Sequence, residues 1–380
     1  MTPRRRPSIG CYYFPNYHLG DARNNAHHGS DWNEWRLVRE AKPRFAGHLQ
    51  PKVPVWGYED EADPEVMSRK IAAAWEHGID YFIFDYYHYD DGDFLDRCLN
   101  EGFLKAANPY PLRFALMWAN HDWLDIHPCG RVPRHVLYPG KVSVGTFRAM
   151  RRAIIERYFT DPAYYRIDGA PYFSIYHLQE FLSGFPTVAE ARKELDMFRA
   201  EVRALGFRDL HLNAVVWGSP VLPCEGVMTD QKSVVEALGF DSVTSYVWIH
   251  HTKLGARPTT PYEQVAADYF AHWDKMVGEY DIPYYPNATV GWDASPRTVQ
   301  SEVWEPGLRY PYTSVVVGNT PEKFRAALEK ISLRARELGV TDINVNSWNE
   351  WTEGSMLEPE RRFGMGYLEA IKAVFPREQV

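Results

Sequence analysis

The sequence predicts a single (β/α)8 TIM barrel with long loops at its C-terminal face. The barrel is expected over residues 9–380, after a short disordered basic segment at residues 1–8. Strand-length apolar runs alternate with helical patterns, as in a parallel sheet that helices cover. Polar and aromatic residues follow nearly every run. Because the C-terminal strand ends carry the active site in such barrels, we expect function at that face.

Eight apolar runs have the length of a strand, and 380 residues allow one barrel with loop insertions. Strands of a parallel barrel are buried on both faces, which explains runs that are nearly continuous in apolar character. The predicted strands are Ile9–Phe14, Ile79–Tyr86, Leu112–Trp118, Pro171–Tyr176, Leu210–Val216, Ser242–Val247, Pro283–Val290 and Ile343–Ser347.

Helix boundaries between these strands are also marked in the sequence. The pairs Asp63-Pro64 and Thr320-Pro321 indicate helix starts, with Asp or Thr as the N-cap and Pro in the first turn. A glycine just past the last turn ends a helix in a left-handed conformation at little steric cost. Four helix-to-strand joints contain such a glycine: Gly78, Gly206, Gly239 and Gly339.

Composition argues against several classes of function. The formal net charge is −8 without long runs of like charge, so we expect no nucleic-acid or membrane partner. No stretch is apolar enough to span a bilayer, and the basic start lacks the apolar segment of a signal peptide, so a cytoplasmic location is expected. Four scattered cysteines without a CxxC pair argue against a disulfide framework or a zinc site. The oligomeric state stays open.

Aromatic residues make up 15% of the chain, with 13 Trp and 24 Tyr, which is more than a core requires. Such side chains suit ligands with both apolar and hydroxyl faces, so an oligo- or polysaccharide is the expected partner. For each residue taken singly, core packing is the competing explanation. The candidate substrate contacts near the C-terminal strand ends are Tyr13, Tyr17, Asp85, Tyr87, Trp118, Asn120, His121, Asp122, Trp248, Trp292, Asp293, Trp348, Asn349 and Trp351.

The tetrapeptide WNEW occurs twice, at residues 32–35 and 348–351, and the predicted fold separates the copies. Glu350 directly follows the eighth strand at the predicted catalytic face. Glu34 lies in the long first loop, from which it could still reach the site. A solvent-facing or structural carboxylate is the simpler interpretation of Glu34.

Glu350 and Glu353 form a candidate catalytic pair. Acid/base cleavage of a glycosidic bond needs one neutral and one ionised carboxyl group, and burial or a neighbouring like charge raises a carboxyl pKa. A turn at the strand end, which Gly354 would ease, could bring the two together. The alternative is a structural turn whose carboxylates cap amides or pair with Arg361 or Arg362.

Five segments resemble glycoside hydrolase family 99 and its WbsX-like bacterial relatives from polysaccharide loci: PRFAGHLQPKVPVWGYEDEADPEVMSRKI, GIDYFIFDYY, FALMWANHDW, VGWDASPR and SWNEWTEGSMLEPE. The resemblance implies an α/β barrel that hydrolyses α-linkages within a glycan, with retention of configuration and without a metal or other cofactor. The resemblance to the mannosidases of family 99 implies that Glu350 deprotonates the sugar 2-hydroxyl. The 2-hydroxyl then attacks the anomeric carbon to give a 1,2-anhydro intermediate. Glu353 is then the general acid and afterwards the base.

The chain departs from the resembled pattern at two places. Thr352 stands where His is expected in the mannosidases, and His121-Asp122 stand where WbsX-like proteins tend to have Glu-Asn. An α-mannosidic linkage is therefore one option among the α-glycosidic linkages.

Two other functions stay open, a glycosyltransferase of polysaccharide biosynthesis and a carbohydrate-binding protein without catalysis. Asp91-Gly92-Asp93 resembles the DxD motif of metal-dependent sugar-nucleotide transferases, but DGD is also an ordinary turn, and no GxGxxG motif or P-loop accompanies it. His27-His28 and His250-His251 suggest a metal, yet each pair lacks a third, well-spaced ligand, so no metal is expected.

Overall fold

The computed structural model describes residues 6–131, 135–255, 257–305 and 308–377. In these ranges the strands are β1 Ser8–Tyr13, β2 Tyr81–Tyr89, β3 Gly92–Phe94, β4 Arg113–Trp118, β5 Trp123–Leu124, β6 Val136–Tyr138, β7 Arg166–Ile167, β8 Ala170–Ile175, β9 His211–Val215, β10 Ser242–Thr244, β11 Thr259–Pro261, β12 Tyr284–Tyr285, β13 Asn287–Thr289, β14 Val315–Val317, β15 Asp342–Asn346, β16 Asn349–Glu350 and β17 Ser355–Met356. The α-helices are α1 Ala22–His28, α2 Trp35–Glu40, α3 Pro64–Glu76, α4 Val144–Ile154, α5 Leu178–Ser183, α6 Val188–Ala204, α7 Gln231–Leu238, α8 Tyr262–Glu279, α9 Pro321–Leu338 and α10 Gly366–Val374.

Nine parallel strand segments of the described chain form the central sheet, in the order β12-β10-β9-β8-β4-β2-β1-β15-β13. β12 pairs with β10 and β13 pairs with β15, and one residue, Pro286, separates the two segments. Because β12 and β13 are consecutive pieces of one strand, interrupted by a residue without an N–H, the sheet closes as an eight-stranded barrel. The predicted (β/α)8 barrel is confirmed, and each predicted strand overlaps one barrel strand.

Helices alternate with the barrel strands. α3, α4, α6, α7, α8, α9 and α10 follow β1, β4, β8, β9, β10, β13 and β15, and a short π-helix at Cys98–Phe103 follows β2. Long connections leave the carboxyl ends of β1, β4 and β13, at residues 14–63, 119–143 and 290–320. The predicted long loops are therefore present at the C-terminal face.

The helix boundaries follow the residues that predicted them. Asp63 caps α3 by accepting from the Glu65 amide, and Thr320 caps α9 by accepting from the Lys323 amide. The four joint glycines all have positive φ, at 95°, 91°, 69° and 70° for Gly78, Gly206, Gly239 and Gly339. A residue with a side chain rarely adopts this conformation, so glycine is required to end these helices.

The N-terminal strand begins within the segment that the sequence predicts to be disordered. Ser8 starts β1, and Arg6 makes an ion pair of 2.7 Å with Asp80, while residues 1–5 lie outside the described residues. Within the described part of the chain, no helix combines the length and the apolar character needed to cross a membrane.

Candidate active site

A tight turn at the end of β15 carries Glu350 and Glu353. β16 pairs antiparallel with β17, with Glu350 opposite Ser355, and a single 3-10 turn at Trp351–Glu353 joins them. Gly354 closes the turn with φ of 69°, and a Cβ atom there would lie 2.7 Å from the Cβ of Asp293. Both the conformation and the close approach require glycine at this position.

Arg297 contacts the two glutamates and also Glu34. Its Nη2 lies 3.5 Å from Glu350 Oε2, its Nη1 lies 2.6 Å from Glu353 Oε1, and its Nε lies 2.7 Å from Glu34 Oε1. All four side chains are buried. We call these four residues the Arg297 cluster.

Glu34 is buried, so it is not the solvent-facing carboxylate that the sequence allowed. In addition to Arg297, Glu34 Oε1 accepts from the Thr352 hydroxyl at 2.5 Å, and Glu34 Oε2 accepts from the Asn16 amide at 2.9 Å. Thr352 is the position at which the resembled mannosidases are expected to have His. Hydrogen bonds and an ion pair of Glu34 therefore connect the first loop to the turn that carries the candidate catalytic pair.

The two candidate catalytic carboxyls differ in their remaining partners. Glu353 Oε1 accepts from the Tyr310 hydroxyl at 2.9 Å. The Tyr246 hydroxyl lies 3.0 Å from both Glu350 Oε1 and Asp85 Oδ2, although it has only one proton to donate. Among the described residues, Glu350 Oε2 accepts no hydrogen bond. Glu353 is thus better stabilised as an anion than Glu350.

Burial raises the pKa of three neighbouring carboxyl groups, those of Glu350, Asp85 and Glu353. For Glu350, desolvation raises the pKa well above its usual range, and the nearby charge of Glu353 raises it further. The pKa of Asp85 is also raised well above its usual range by desolvation, against the bond from Tyr246. Desolvation raises the pKa of Glu353 as well, but Arg297 and the bond from Tyr310 oppose the rise.

The pair faces a cleft of about 670 Å³, part of it open to solvent, at the C-terminal face of the barrel. Seven predicted site residues line it: Asp85, Tyr87, His121, Asp122, Trp292, Glu350 and Glu353. The cleft therefore combines carboxyl groups with aromatic and imidazole rings, a lining that suits a ligand with both apolar and hydroxyl faces.

The other nine predicted contacts do not line this cleft. Successive strand residues point to opposite faces, so neighbours of a cleft residue pack into the surrounding layer. Trp118, for example, packs against Phe147 and Phe181. Tyr13, Tyr17, Trp248, Trp348 and Trp351 are likewise buried among other side chains, Asn120 and Asn349 bind the backbone of His177 and Phe14, and Asp293 accepts from His48 and Gln50.

The other residues that line the cleft were not predicted as site residues, among them the polar side chains of Arg297, Tyr246, Tyr176 and His250. Arg297 lies within VGWDASPR, where a lone arginine among apolar residues was the available signal. Tyr246 belongs to an apolar strand run and was indistinguishable from a core residue by pattern.

A second buried ion cluster lies behind the same turn. Lys70 Nζ lies 2.5 Å from Glu61 Oε1 and 2.5 Å from Glu358 Oε1. Glu61 accepts from the Asn349 amide at 3.1 Å, and Glu358 accepts from the Trp351 indole N–H at 2.6 Å. The Lys70 cluster, which consists of Lys70, Glu61 and Glu358, therefore holds the residues on either side of Glu350.

The motifs that suggested a metal have other partners. Asp91 and Asp93 flank the tip of the β2–β3 hairpin, where Asp91 pairs with Arg23 at 2.9 Å and Asp93 pairs with Arg157 at 3.0 Å. His250 Nε2 lies 3.3 Å from Glu225. Across the described ranges, no group of three or more His, Cys, Asp or Glu side chains is arranged to hold a metal ion.

Comparison with known proteins identifies the family. The family model described as "Glycosyltransferase WbsX" matches residues 9–371. The chain belongs to this family. It is 27% identical over 383 residues to "Uncharacterized protein WxcX" of Xanthomonas campestris pv. campestris, which covers 97% of this chain and 50% of that protein. The chain thus spans about half the length of the curated relatives it matches.

Solved structures show the same fold. The family 99 endo-α-mannosidase from Bacteroides thetaiotaomicron has a TM-score of 0.57 at 15% identity, with 96% of this chain and 95% of that chain covered. A structure described as "Glycoside hydrolase-like protein" has a TM-score of 0.62 at 14% identity, with 98% and 95% covered. The resemblance to family 99 and to WbsX-like proteins is confirmed, and the chain has a glycoside hydrolase-like barrel.

Proposed function

We propose that this protein is a retaining glycoside hydrolase that cleaves α-glycosidic linkages in a polysaccharide or glycan. The observation that carries the proposal is a pair of buried carboxyl groups, Glu350 and Glu353, held by one guanidinium in an aromatic cleft at the C-terminal face. α-Mannosides are the first linkages to test, because an endo-α-mannosidase shares the fold. No metal or organic cofactor takes part in the proposed reaction.

The proposed reaction has two steps and proceeds through the sugar 2-hydroxyl. In the first, one carboxylate removes the 2-hydroxyl proton and O2 bonds to the anomeric carbon. The bond to the leaving oxygen breaks as that oxygen takes a proton from the other carboxyl group. In the second, the carboxylate that acted as acid takes a proton from water as the water oxygen bonds to the anomeric carbon. The bond between that carbon and O2 breaks, and O2 recovers its proton from the other carboxyl group, which restores the original configuration. The family resemblance assigns Glu350 as base and Glu353 as acid.

The contacts of the free protein bear on which carboxyl holds the proton. Arg297 at 2.6 Å and the Tyr310 hydroxyl stabilise the anion of Glu353, whereas Glu350 has one hydroxyl partner and a more distant guanidinium. In a coupled pair with one proton, that proton resides on Glu350 before substrate binds. The assigned roles require the proton to shift to Glu353 on binding. The opposite assignment, with Glu350 as acid, requires no shift.

Glutamine variants separate the two assignments. Glu353→Gln is expected to lower hydrolysis of an unactivated glycan at least about a hundredfold, on the order of 3 kcal/mol in barrier. An aryl glycoside with a good leaving group needs little protonation, so the acid variant should keep most of its first-step rate on that substrate. If Glu350→Gln is the variant rescued by the aryl leaving group, the roles are reversed.

Glu329→Gln, on the exposed face of α9, is the matched control because it removes one carboxylate far from the cleft. Near-full glycan hydrolysis by both Glu350→Gln and Glu353→Gln would overturn the proposed function.

A 2-deoxy-2-fluoro glycoside tests participation of the 2-hydroxyl. Fluorine cannot be deprotonated, so this substrate should bind without turning over and without labelling the protein. An ordinary double displacement would instead leave a covalent adduct on a carboxylate, visible by intact-mass spectrometry. Proton NMR of the first product from a natural glycan gives the stereochemistry, and an inverted product contradicts both retaining mechanisms.

A glycosyltransferase is the second candidate, favoured by the description of the family model. It predicts tight binding of nucleotide diphosphate sugars that depends on Asp91, Asp93 and a divalent ion. In the structure these carboxylates already contact Arg23 and Arg157. Isothermal titration with nucleotide sugars, beside a reducing-end assay on polysaccharides, separates the candidates. A non-catalytic carbohydrate-binding protein would bind glycans and release no reducing ends.

A further inference from the structure

A second cavity adjoins the candidate active site and differs from it in charge. It lies among the loops that follow β9, β10 and β13, and its volume is about 1110 Å³ when the space open to solvent is included. Val221 and Leu222 line both cavities. The second cavity is thus next to the cleft, at the same face of the barrel.

One hydrogen bond connects the second cavity to the candidate catalytic pair, and another connects it to a further residue of the cleft. Tyr310 lines this cavity, and its hydroxyl donates to Glu353 at 2.9 Å. Thr313 also lines it, and its hydroxyl accepts from the indole N–H of Trp292, a cleft residue, at 3.0 Å. A glycan that occupies both cavities would therefore pass directly beside Glu353.

The charges available to a ligand in the second cavity are positive. Lys253, from the loop after β10, and Arg309, from the loop after β13, both line the cavity and are exposed. Among the described residues, neither cation lies within ion-pair distance of a carboxylate. Two cations from separate loops therefore line one cavity, and neither is paired with a carboxylate of the described residues.

The one carboxylate that lines the same cavity, among the described residues, is already occupied. Glu225 Oε1 accepts from the Tyr176 hydroxyl, and Glu225 Oε2 accepts from the amides of Val221 and Leu222 at 2.6 and 2.9 Å. His250 Nε2 lies 3.3 Å away. Burial alone would raise the pKa of Glu225, but His250, Tyr176 and the backbone lower it to about 2. Both oxygens of Glu225 are therefore occupied by the loop, and the two cations of the cavity outnumber this single carboxylate.

We infer that the second cavity binds a negatively charged sugar unit of the glycan, through Lys253 and Arg309. This inference rests on the proposed function, because it assigns a substrate class to the same active site. A guanidinium binds carboxylate and phosphate groups with paired hydrogen bonds, and an ammonium binds them as a point charge. The shared ligand chemistry is an anionic substituent, either the carboxylate of a uronic acid or a phosphate ester.

Matched glycans test the inference with the full chain. Binding is measured on an array that contains uronic acid oligosaccharides, their carboxyl-reduced neutral counterparts, phosphate-bearing glycans and neutral glycans. The wild type should prefer anionic glycans, and whether the preferred set carries uronate or phosphate identifies the anion. The double variant Lys253→Ala/Arg309→Ala should bind the anionic set at least tenfold more weakly and lower the ratio of anionic to neutral binding.

The control variant is Lys275→Ala/Arg325→Ala, which removes the same two charges from the exposed faces of α8 and α9. It should bind like the wild type, and added salt should weaken anionic binding less in the cavity variant than in the control. Equal binding of carboxylated and reduced glycans, equal losses on both in the cavity variant, or no glycan binding at all would overturn the inference.

Reducing-end release from the same glycans keeps the two proposals apart. Cleavage of neutral glycans without a preference for anionic ones contradicts the charged subsite and leaves the hydrolase intact. Preferred binding of anionic glycans without any cleavage contradicts the hydrolase and leaves the charged subsite intact.

Discussion

Two buried clusters with similar chemistry lie on opposite sides of the turn after β15. Each places one cation against several glutamates: Arg297 against Glu34, Glu350 and Glu353, and Lys70 against Glu61 and Glu358. The Arg297 cluster faces a cleft, whereas Lys70, Glu61 and Glu358 line none of the described cavities.

The clusters also differ in how completely their carboxylates are bound. Lys70 approaches both partners at 2.5 Å, and each partner accepts a further hydrogen bond from the turn. Burial alone would lower the pKa of Lys70, but Glu358 and Glu61 raise it above its usual range. Glu350 Oε2 and Glu358 Oε1 both lack a hydrogen bond among the described residues, but Lys70 lies 2.5 Å from Glu358 Oε1, whereas Arg297 lies 3.5 Å from Glu350 Oε2. The tightly paired cluster supports the turn, and the more loosely paired oxygen of Glu350 at a cleft has capacity left for a substrate.

The largest expected effect is on stability, from the Lys70 cluster. Lys70→Met leaves two buried carboxylates without their cation, and breaking such a pair costs about 3–5 kcal/mol of unfolding free energy. Urea denaturation followed by fluorescence measures it. Lys193→Met, at an exposed position of α6, is the control. A loss below about 1 kcal/mol in Lys70→Met would show that the cluster does not support the fold.

Arg297→Lys is expected to affect activity more than stability. Lysine keeps the charge but lacks the planar guanidinium that contacts all three carboxylates. The side chains of Glu350 and Glu353 therefore lose their alignment. We expect kcat to fall about a hundredfold, on the order of 3 kcal/mol, with a smaller change in KM. Steady-state kinetics with circular dichroism separates the effects. Unchanged kcat would mean that Arg297 has the structural role assigned to Lys70.

The fold could be predicted from the sequence because the same boundary residues recur in successive helix and strand units. Gly339 ends α9, Thr320 begins it, and the strand that follows is apolar throughout, so each unit carries its own boundaries. The positions of Glu350 and Glu353 followed from the end of the eighth strand. The site could be predicted only in part. Asp85 and Trp118 both lie at the predicted end of a strand, and the sequence around them does not show that Asp85 lines the cleft whereas Trp118 packs against Phe147 of α4.

Contacts between distant loops were beyond sequence pattern. Glu34 meets Arg297 across 263 positions, and no spacing rule connects them. The two WNEW copies therefore share one cluster, although the predicted fold had placed them apart. The same holds for Lys253 and Arg309, which converge from separate loops on one cavity.

Glu34→Gln tests how far the Arg297 cluster extends from the reacting groups. Glu34 anchors Arg297 but does not line the cleft, so the variant should keep its proton-transfer groups and lose only alignment. We expect kcat to fall about tenfold, on the order of 1.4 kcal/mol. Steady-state kinetics beside Glu350→Gln makes the comparison. An equal loss of kcat in both variants would mean that Glu34 contributes as much to the reaction as Glu350.

The smallest expected effect is a gain in stability from Glu350→Gln. Burial raises the pKa of Glu350, so the folded protein binds a proton at this site more tightly than the unfolded chain. The stabilising contribution is complete below the unfolded pKa, about 4.3, and is lost as the pH rises through the folded pKa. Glutamine, which stays neutral, avoids that loss. We expect Glu350→Gln to be more stable by on the order of 1 kcal/mol at pH 8 and little changed at pH 4.

Thermal melts of wild type, Glu350→Gln and Glu329→Gln at both pH values measure this difference. Glu329 lies on the exposed face of α9, so its variant should show no gain at either pH. The Lys70 cluster offers the opposite case, because Glu358→Gln weakens an ion pair of 2.5 Å with Lys70 and should destabilise the protein at pH 8. A gain in thermal stability of Glu350→Gln that is equal at pH 4 and pH 8 would mean that the buried charge of Glu350 does not destabilise the folded protein.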